Sequence, residues 1–202
     1  MNKDEKLICE FLTSYRLEAK RFSKEEIRKG KTPDFRVFHD ETFRFYCEVK
    51  SIDKDLWLDK QLDAASPETV VGGLRNDPVY NRLTSDVHAA VKQFDAVNKD
   101  ITHPNVLALV NHDKKCKIND LINVLTGIEL TNNGSAFPIF QYYSEGRIRD
   151  EKKRKHLFLW IDNWVDSIDS EGFLFCDIKE NHYQTLCILF GKDPDSIKQI
   201  GS

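Results

Sequence analysis

The strongest constraint on this chain is a pair of alternating segments joined by four polar residues. Phe35 and Val37, then Phe43, Phe45, Cys47 and Val49, are apolar at every second position, with polar or charged residues between them. Period two is the signature of a half-buried strand. The connection His39-Asp40-Glu41-Thr42 is short and polar, and it predicts a hairpin turn. Antiparallel neighbours bring their ends into register. Asp34, at the start of the first strand, is therefore expected near Glu48, at the end of the second. Glu48 and Lys50 are two residues apart and so project from one face. Asp34, Glu48 and Lys50 are expected to converge on one point.

Two carboxylates at such a point offer hard oxygen ligands. They suit Mg²⁺, with Mn²⁺ as the alternative, because these ions bind through one or two carboxylates plus waters and substrate phosphate. A lysine beside them can orient or help deprotonate an attacking water while the ion stabilises charge on the phosphate. The bland alternative is a hairpin whose charges merely face water.

Pro33-Asp34 followed by Glu48-Val49-Lys50 resembles the PD-(D/E)xK nuclease superfamily. The resemblance covers roughly residues 5–111, about half of the chain. It implies a restriction-endonuclease-like fold: an α/β architecture with a mixed central sheet flanked by helices. It implies that Asp34 and Glu48 hold the metal, with a carbonyl near Val49 as a third ligand, and that Lys50 activates the water. It also implies a glutamate on the first helix that completes the metal shell. Leu7, Ile8, Phe11, Leu12, Tyr15, Ala19 and Phe22 recur at three- and four-residue intervals and predict a helix over residues 3–22. Glu18 shares a face with Tyr15 and Phe22 and is the preferred match, with Glu10 as the rival. Either could equally be a surface glutamate.

A second helix is predicted from a cap at Thr84 or Ser85, with the stripe Val87, Ala90, Val91, Phe94 and Val97. Lys92 and Gln93 flank that stripe and are candidates to face the site, or simply polar neighbours of a core face. Residues 105–111 are an apolar run, read as a buried strand. Between Ile52 and Asn81, dense Gly and Pro punctuation predicts a loop with at most short helical pieces. Trp57 in that loop could stack on a base or anchor the loop. Arg75 and Arg82 are candidate phosphate contacts.

Beyond Asn111 the expectations are a helix from Asn119 or Asp120, a loop over 127–134 and a buried strand over 157–161. A hairpin is expected from 171–177 and 183–190. These carboxy-terminal strands would extend the sheet or form a homodimer surface. The whole chain, 1–202, reads as one domain with a core over about 5–111 and an extension over 112–202. Its 40% hydrophobic and 11% aromatic content is ample for one core.

Net charge is −3, so the whole chain is not an obvious polyanion binder. Charge is uneven, however. Seven basic residues against three acids lie between Arg16 and Lys31, including Lys29 and Lys31, and six basic residues lie between Arg147 and Lys155. Such runs can contact phosphates or can be solvated surface. The five cysteines are odd in number and scattered, which points to reduced thiols and a cytoplasmic protein. A zinc site from His112 and Cys116 with His103 nearby is a weaker option. No apolar run approaches membrane-spanning length. The functional expectation is a Mg²⁺-dependent nuclease, with DNA as the default partner and no membrane association. The alternative is a nuclease-fold module that binds nucleic acid or protein without cutting.

Overall fold

The computed structural model describes residues 1–54, 57–70, 76–130, 135–138, 148, 154–165, 167–176 and 180–196. The chain is α/β, with a mixed six-stranded sheet flanked by helices. The first half holds α1 (Lys3–Ser14), β1 (Glu18–Arg21), α2 (Lys24–Lys29), β2 (Phe35–His39), β3 (Thr42–Ile52), α3 (Trp57–Ala64), α4 (Asn76–Val97) and β4 (Asn105–Asn111). The second half holds α5 (Ile118–Thr126), β5 (Ile128–Leu130), β6 (Ala136–Pro138), β7 (Leu157–Asp162), β8 (Ser170–Phe175) and α6 (Glu180–Leu189). The sheet runs β1-β2-β3-β4-β7-β8; β3 with β4 and β4 with β7 are parallel, and the other pairs are antiparallel. A parallel pair needs a crossover, and α3 and α4 supply it between β3 and β4. β5 and β6 form a separate two-stranded ribbon.

Alternation along β3 divides the molecule into two cores. Phe45, Cys47 and Val49 face one side, where Ile8, Phe11 and Leu12 of α1 and Leu186 and Phe190, at and just after α6, cover them. Tyr46 and Ile52 face the other, with Val87, Ala90 and Phe94 of α4 and Val124 of α5. Glu48 and Lys50 belong to this second face by the same parity. β4 and β7 are buried along their whole length, as central strands covered on both faces must be. That is why both read as unbroken apolar runs.

The hairpin turn is two residues long, with Asp40 at φ 48° and Glu41 at φ 60°. Positive φ at both central positions suits the right-handed twist of a hairpin but strains residues other than glycine. Glu41→Gly should therefore raise stability by roughly 1 kcal/mol, since the relief of left-handed strain exceeds the added chain entropy. Denaturant midpoints of the two proteins check this; a lower midpoint for Glu41→Gly removes the strain argument.

Four expectations need correction. The helix predicted over 3–22 stops at Ser14. Thr13 and Ser14 donate their hydroxyls to the carbonyls of Cys9 and Phe11, and Arg16 takes φ 59°. The chain then turns back as β1 beside β2, so Glu18 is on a strand and not on the helix. α4 begins at Asn76 rather than near Thr84, with Pro78 in its first turn, where a missing N–H is tolerated. Gly127 ends α5 at φ 70°, but residues 128–130 are a strand rather than loop. Finally, 183–190 is not the second strand of a hairpin. Tyr183, Leu186, Cys187 and Phe190 are buried while Ile188 is 72% exposed, which is helical spacing, and 180–189 form α6.

Candidate functional site

β2 begins at Phe35, opposite Cys47. Beyond that point β3 continues without its neighbour, so the Val49 amide on that side lacks a strand partner. Asp34 fills the place: Val49 N donates to Asp34 Oδ2 at 2.8 Å. In the other direction Asp34 N donates to Glu48 Oε2 at 3.1 Å. Side chain caps backbone twice over fifteen residues, and the two carboxyl groups are held side by side. Lys50, on the same face as Glu48, donates from Nζ to Glu48 Oε1 at 2.7 Å and to Gln93 Oε1 at 3.2 Å. Gln93 then donates from Nε2 to the Thr32 carbonyl at 3.3 Å. One amide on α4 thus ties the lysine to the loop that leads into Pro33-Asp34.

The electrostatics of this group are unusual. Glu48 is 1% exposed. Burial, and next the charge of Asp34, push its carboxyl up to about 7, against the opposing pull of Lys50 and Gln93. Asp34 is raised as well, chiefly by burial and in part by the charge of Glu5, while its bond from Val49 works the other way. A buried carboxylate pair is short of positive charge, and one ammonium does not satisfy it.

Glu5 is the residue that periodicity missed. It lies in the first turn of α1, buried, within electrostatic reach of Asp34. Its sequence signal was the spacing Asn2-x-x-Glu5, a capping box. Glu5 N donates to Asn2 Oδ1 at 2.8 Å and Asn2 N donates to Glu5 Oε2 at 3.1 Å. A box there fixes the helix start and puts Glu5 on the face of Ile8 and Leu12. Asp4 anchors the same turn through Ser51 and through His112 Nε2 at 3.0 Å.

A second missed residue is Asp86, one helical turn after Arg82 on α4. Burial raises its carboxyl while Lys50 and Arg82 pull the other way. Its Oδ2 is buried with no hydrogen-bond partner among the described residues. Arg82 donates Nη1 to the Asp53 carbonyl at 2.7 Å, so the backbone already occupies part of this candidate phosphate contact.

The other sequence candidates are dispersed. Glu18 is exposed and pairs with Lys20 at 2.9 Å, and Glu10 is exposed. Lys92 is exposed on α4, as are Lys29 and Lys31 around the end of α2. Arg75, the side chain of Trp57 and most of the Arg147–Lys155 run lie outside the described residues. The end of that run folds inward: Arg154 bonds Asp95 and the Lys99 carbonyl, and Lys155 is fully buried. These two are structural, not a phosphate patch. His103 packs on the Phe43 ring at 4.4 Å and His112 is held by Asp4, so neither joins Cys116 in a zinc set.

Among the described residues no three His, Cys, Asp or Glu side chains gather at a spacing that holds a metal on protein ligands alone. Asp34 and Glu48 are two, which fits the demand of Mg²⁺ for one or two carboxylates completed by water and phosphate. No helix among the described residues is long and apolar enough to cross a membrane. Comparison with protein-family models, curated proteins and solved structures returns no match. The molecule is defined by its own geometry: an α/β sheet with a buried, cation-deficient carboxylate pair and a lysine at the edge of β3.

Proposed function

We propose that this chain is a metal-dependent nuclease of the PD-(D/E)xK superfamily, with a restriction-endonuclease-like fold, that hydrolyses phosphodiester bonds of DNA. The observation that carries the reading is the mutual capping of Asp34 and Glu48 with Lys50 on the same face. A solvated hairpin would have no reason to bury Glu48 and raise its pKa, and perturbed groups of this kind concentrate at functional sites.

Asp34 and Glu48 would hold Mg²⁺, which supplies positive charge to the phosphate and lowers the pKa of water. The chain's own residues do the rest. Glu48 is the pivot, because Lys50 holds one of its oxygens and the Asp34 amide holds the other. With Glu48 engaged by a cation, Lys50 would keep Gln93 as its partner and would be placed to orient an attacking water. Gln93 limits the swing of Lys50 and holds the Asp34 loop in place through Thr32. Glu5, whose carboxylate pairs with Arg21 at 3.1 Å, still raises the negative potential at Asp34 and would strengthen its hold on a cation.

The test is cleavage of plasmid, linear and single-stranded DNA and of RNA, each with and without Mg²⁺. Cutting that requires Mg²⁺ supports the reading. A protein that binds nucleic acid and cuts none of these substrates is the non-catalytic module. The helix glutamate has its own test. Glu5→Gln should weaken metal affinity about tenfold, as removal of a supporting group beside a ligand does. Glu18→Gln should match the parent in a Mg²⁺ titration. Equal affinities for parent and Glu5→Gln would remove Glu5 from the site.

A further inference from the structure

A cavity of about 310 Å³ lies between α2 and the last turn of α4, at the small end of ligand-sized pockets. Three cations line it, Lys29, Lys31 and Arg36, against one carboxylate, Glu26. Arg36 is committed locally. It bonds Glu26 at 2.6 Å and lies over the Phe22 ring at 3.9 Å, so it forms a fixed wall. Glu26 is held down to about 2 by that guanidinium first and by its cap on Ser23 next. Lys29 and Lys31 are exposed and have no ion-pair partner among the described residues. The cavity therefore carries an uncompensated charge of two lysines above a floor partly made by the apolar Ala96 and Val97.

Its position relative to the carboxylate pair is fixed by two continuous pieces of chain. Thr32 lines the cavity, and its carbonyl accepts from Nε2 of Gln93, the amide whose Oε1 accepts from Lys50. Ala96 is three residues beyond Gln93 on the same helix, about 4.5 Å along its axis. Lys31 is three residues before Asp34, a reach of at most about 10 Å. Each strand of B-form DNA advances about 3.4 Å per nucleotide along the helix axis. A strand whose phosphodiester sits at Asp34 and Glu48 thus passes the cavity within about three nucleotides.

We infer that this cavity seats one nucleotide of the strand flanking the scissile bond, with Lys29 and Lys31 neutralising its two adjoining phosphates and Ala96 and Val97 facing the sugar or base. The inference takes its substrate class from the nuclease reading. Its test does not need cleavage.

The experiment is fluorescence anisotropy of a labelled oligothymidylate with the parent, Lys29→Glu/Lys31→Glu and Ala96→Trp, in EDTA at several salt concentrations. The altered residues are exposed, and far-UV circular dichroism verifies that each variant is folded. Charge reversal should weaken binding roughly tenfold or more. It should also reduce the slope of log affinity against log salt by about 1.4, at 0.7 for each single-strand phosphate that is no longer neutralised. Ala96→Trp fills the cavity without changing charge, so it should weaken binding while leaving the lysine charges in place.

If Ala96→Trp binds like the parent, the lysines act only as diffuse charge and the cavity is not a subsite, whatever the protein cleaves. If the parent binds no strand, the inference is overturned as well. If the parent binds in a cavity-dependent way and cuts nothing when Mg²⁺ is added, the nucleotide seat stands and the nuclease reading falls.

Discussion

Lys50→Ala should cleave DNA about 10²- to 10⁴-fold more slowly than the parent, the range for loss of a positioned proton-transfer group, while still binding Mg²⁺. The separation follows from where the lysine sits. Its Nζ holds Glu48 Oε1 and Gln93 Oε1, and neither bond contributes a ligand to a cation. Removing the ammonium frees Glu48 Oε1 and deletes a positive charge that competes with the ion. Metal affinity should therefore hold or rise. The attacking water, by contrast, loses the donor that orients it. Asp34→Ala should behave differently. Asp34 Oδ2 accepts the Val49 amide and its own amide holds Glu48. Replacement by alanine keeps that amide but removes one carboxylate and its bond from the Val49 amide, so metal binding and cleavage should disappear together. Single-turnover cleavage beside calorimetric metal titration separates the two variants, because losing an interaction made only in the transition state lowers the rate without changing ground-state binding. Lys50→Ala cutting at the parental rate would sink the catalytic role of this lysine.

What was legible in the sequence was what local periodicity controls. The β2–β3 hairpin follows from strict alternation, and β4 and β7 from unbroken apolar runs. The Asp34, Glu48 and Lys50 constellation follows from parity along one strand. What was not legible depended on contacts distant in sequence or on competing periods. The end of α1 carries no Gly or Pro; a left-handed Arg16 and two hydroxyl-to-carbonyl bonds stop the helix instead. The apolar pattern then runs on into β1, whose strand state is decided by its pairing with β2. Phe22, just past β1, stacks on Tyr46 of β3. α6 resembles a strand because Leu186-Cys187-Ile188-Leu189-Phe190 is apolar throughout. Only the exposure of Ile188 reveals which period governs. Glu5 was hidden for another reason. A charged residue in a first turn is ordinarily solvated; Glu5 is buried where Arg21 pairs with it and where His112, more than a hundred residues away, anchors its neighbour Asp4.

Glu48→Gln should make the metal-free protein more stable at neutral pH, although it alters a buried charged residue. Glu48 has an ordinary value of 4.5 and is raised to about 7 in the fold, chiefly by burial and then by Asp34. A carboxyl whose folded pKa is raised favours the folded state while protonated. Its contribution is fully present below about 4.5 and is lost as pH rises through about 7. The loss across that window is about 3 kcal/mol, at 1.36 kcal/mol for each unit of pKa. Asp34 titrates with Glu48 as a coupled pair, and its own raised value acts in the same direction. His103, lowered by burial, opposes them in the upper part of the window, so the difference between parent and variant isolates Glu48 better than either curve alone. Urea unfolding in EDTA from pH 5 to pH 8 should show the parent weakening relative to Glu48→Gln, with the gap widest at the alkaline end. Mg²⁺ should close that gap by stabilising the parent and not the variant, since a ligand that binds only the native state adds stability by mass action. A parent and variant whose curves run parallel from pH 5 to pH 8 would mean that Glu48 is not held against its charge. Buried strain released by a cation would then no longer support a metal at this site.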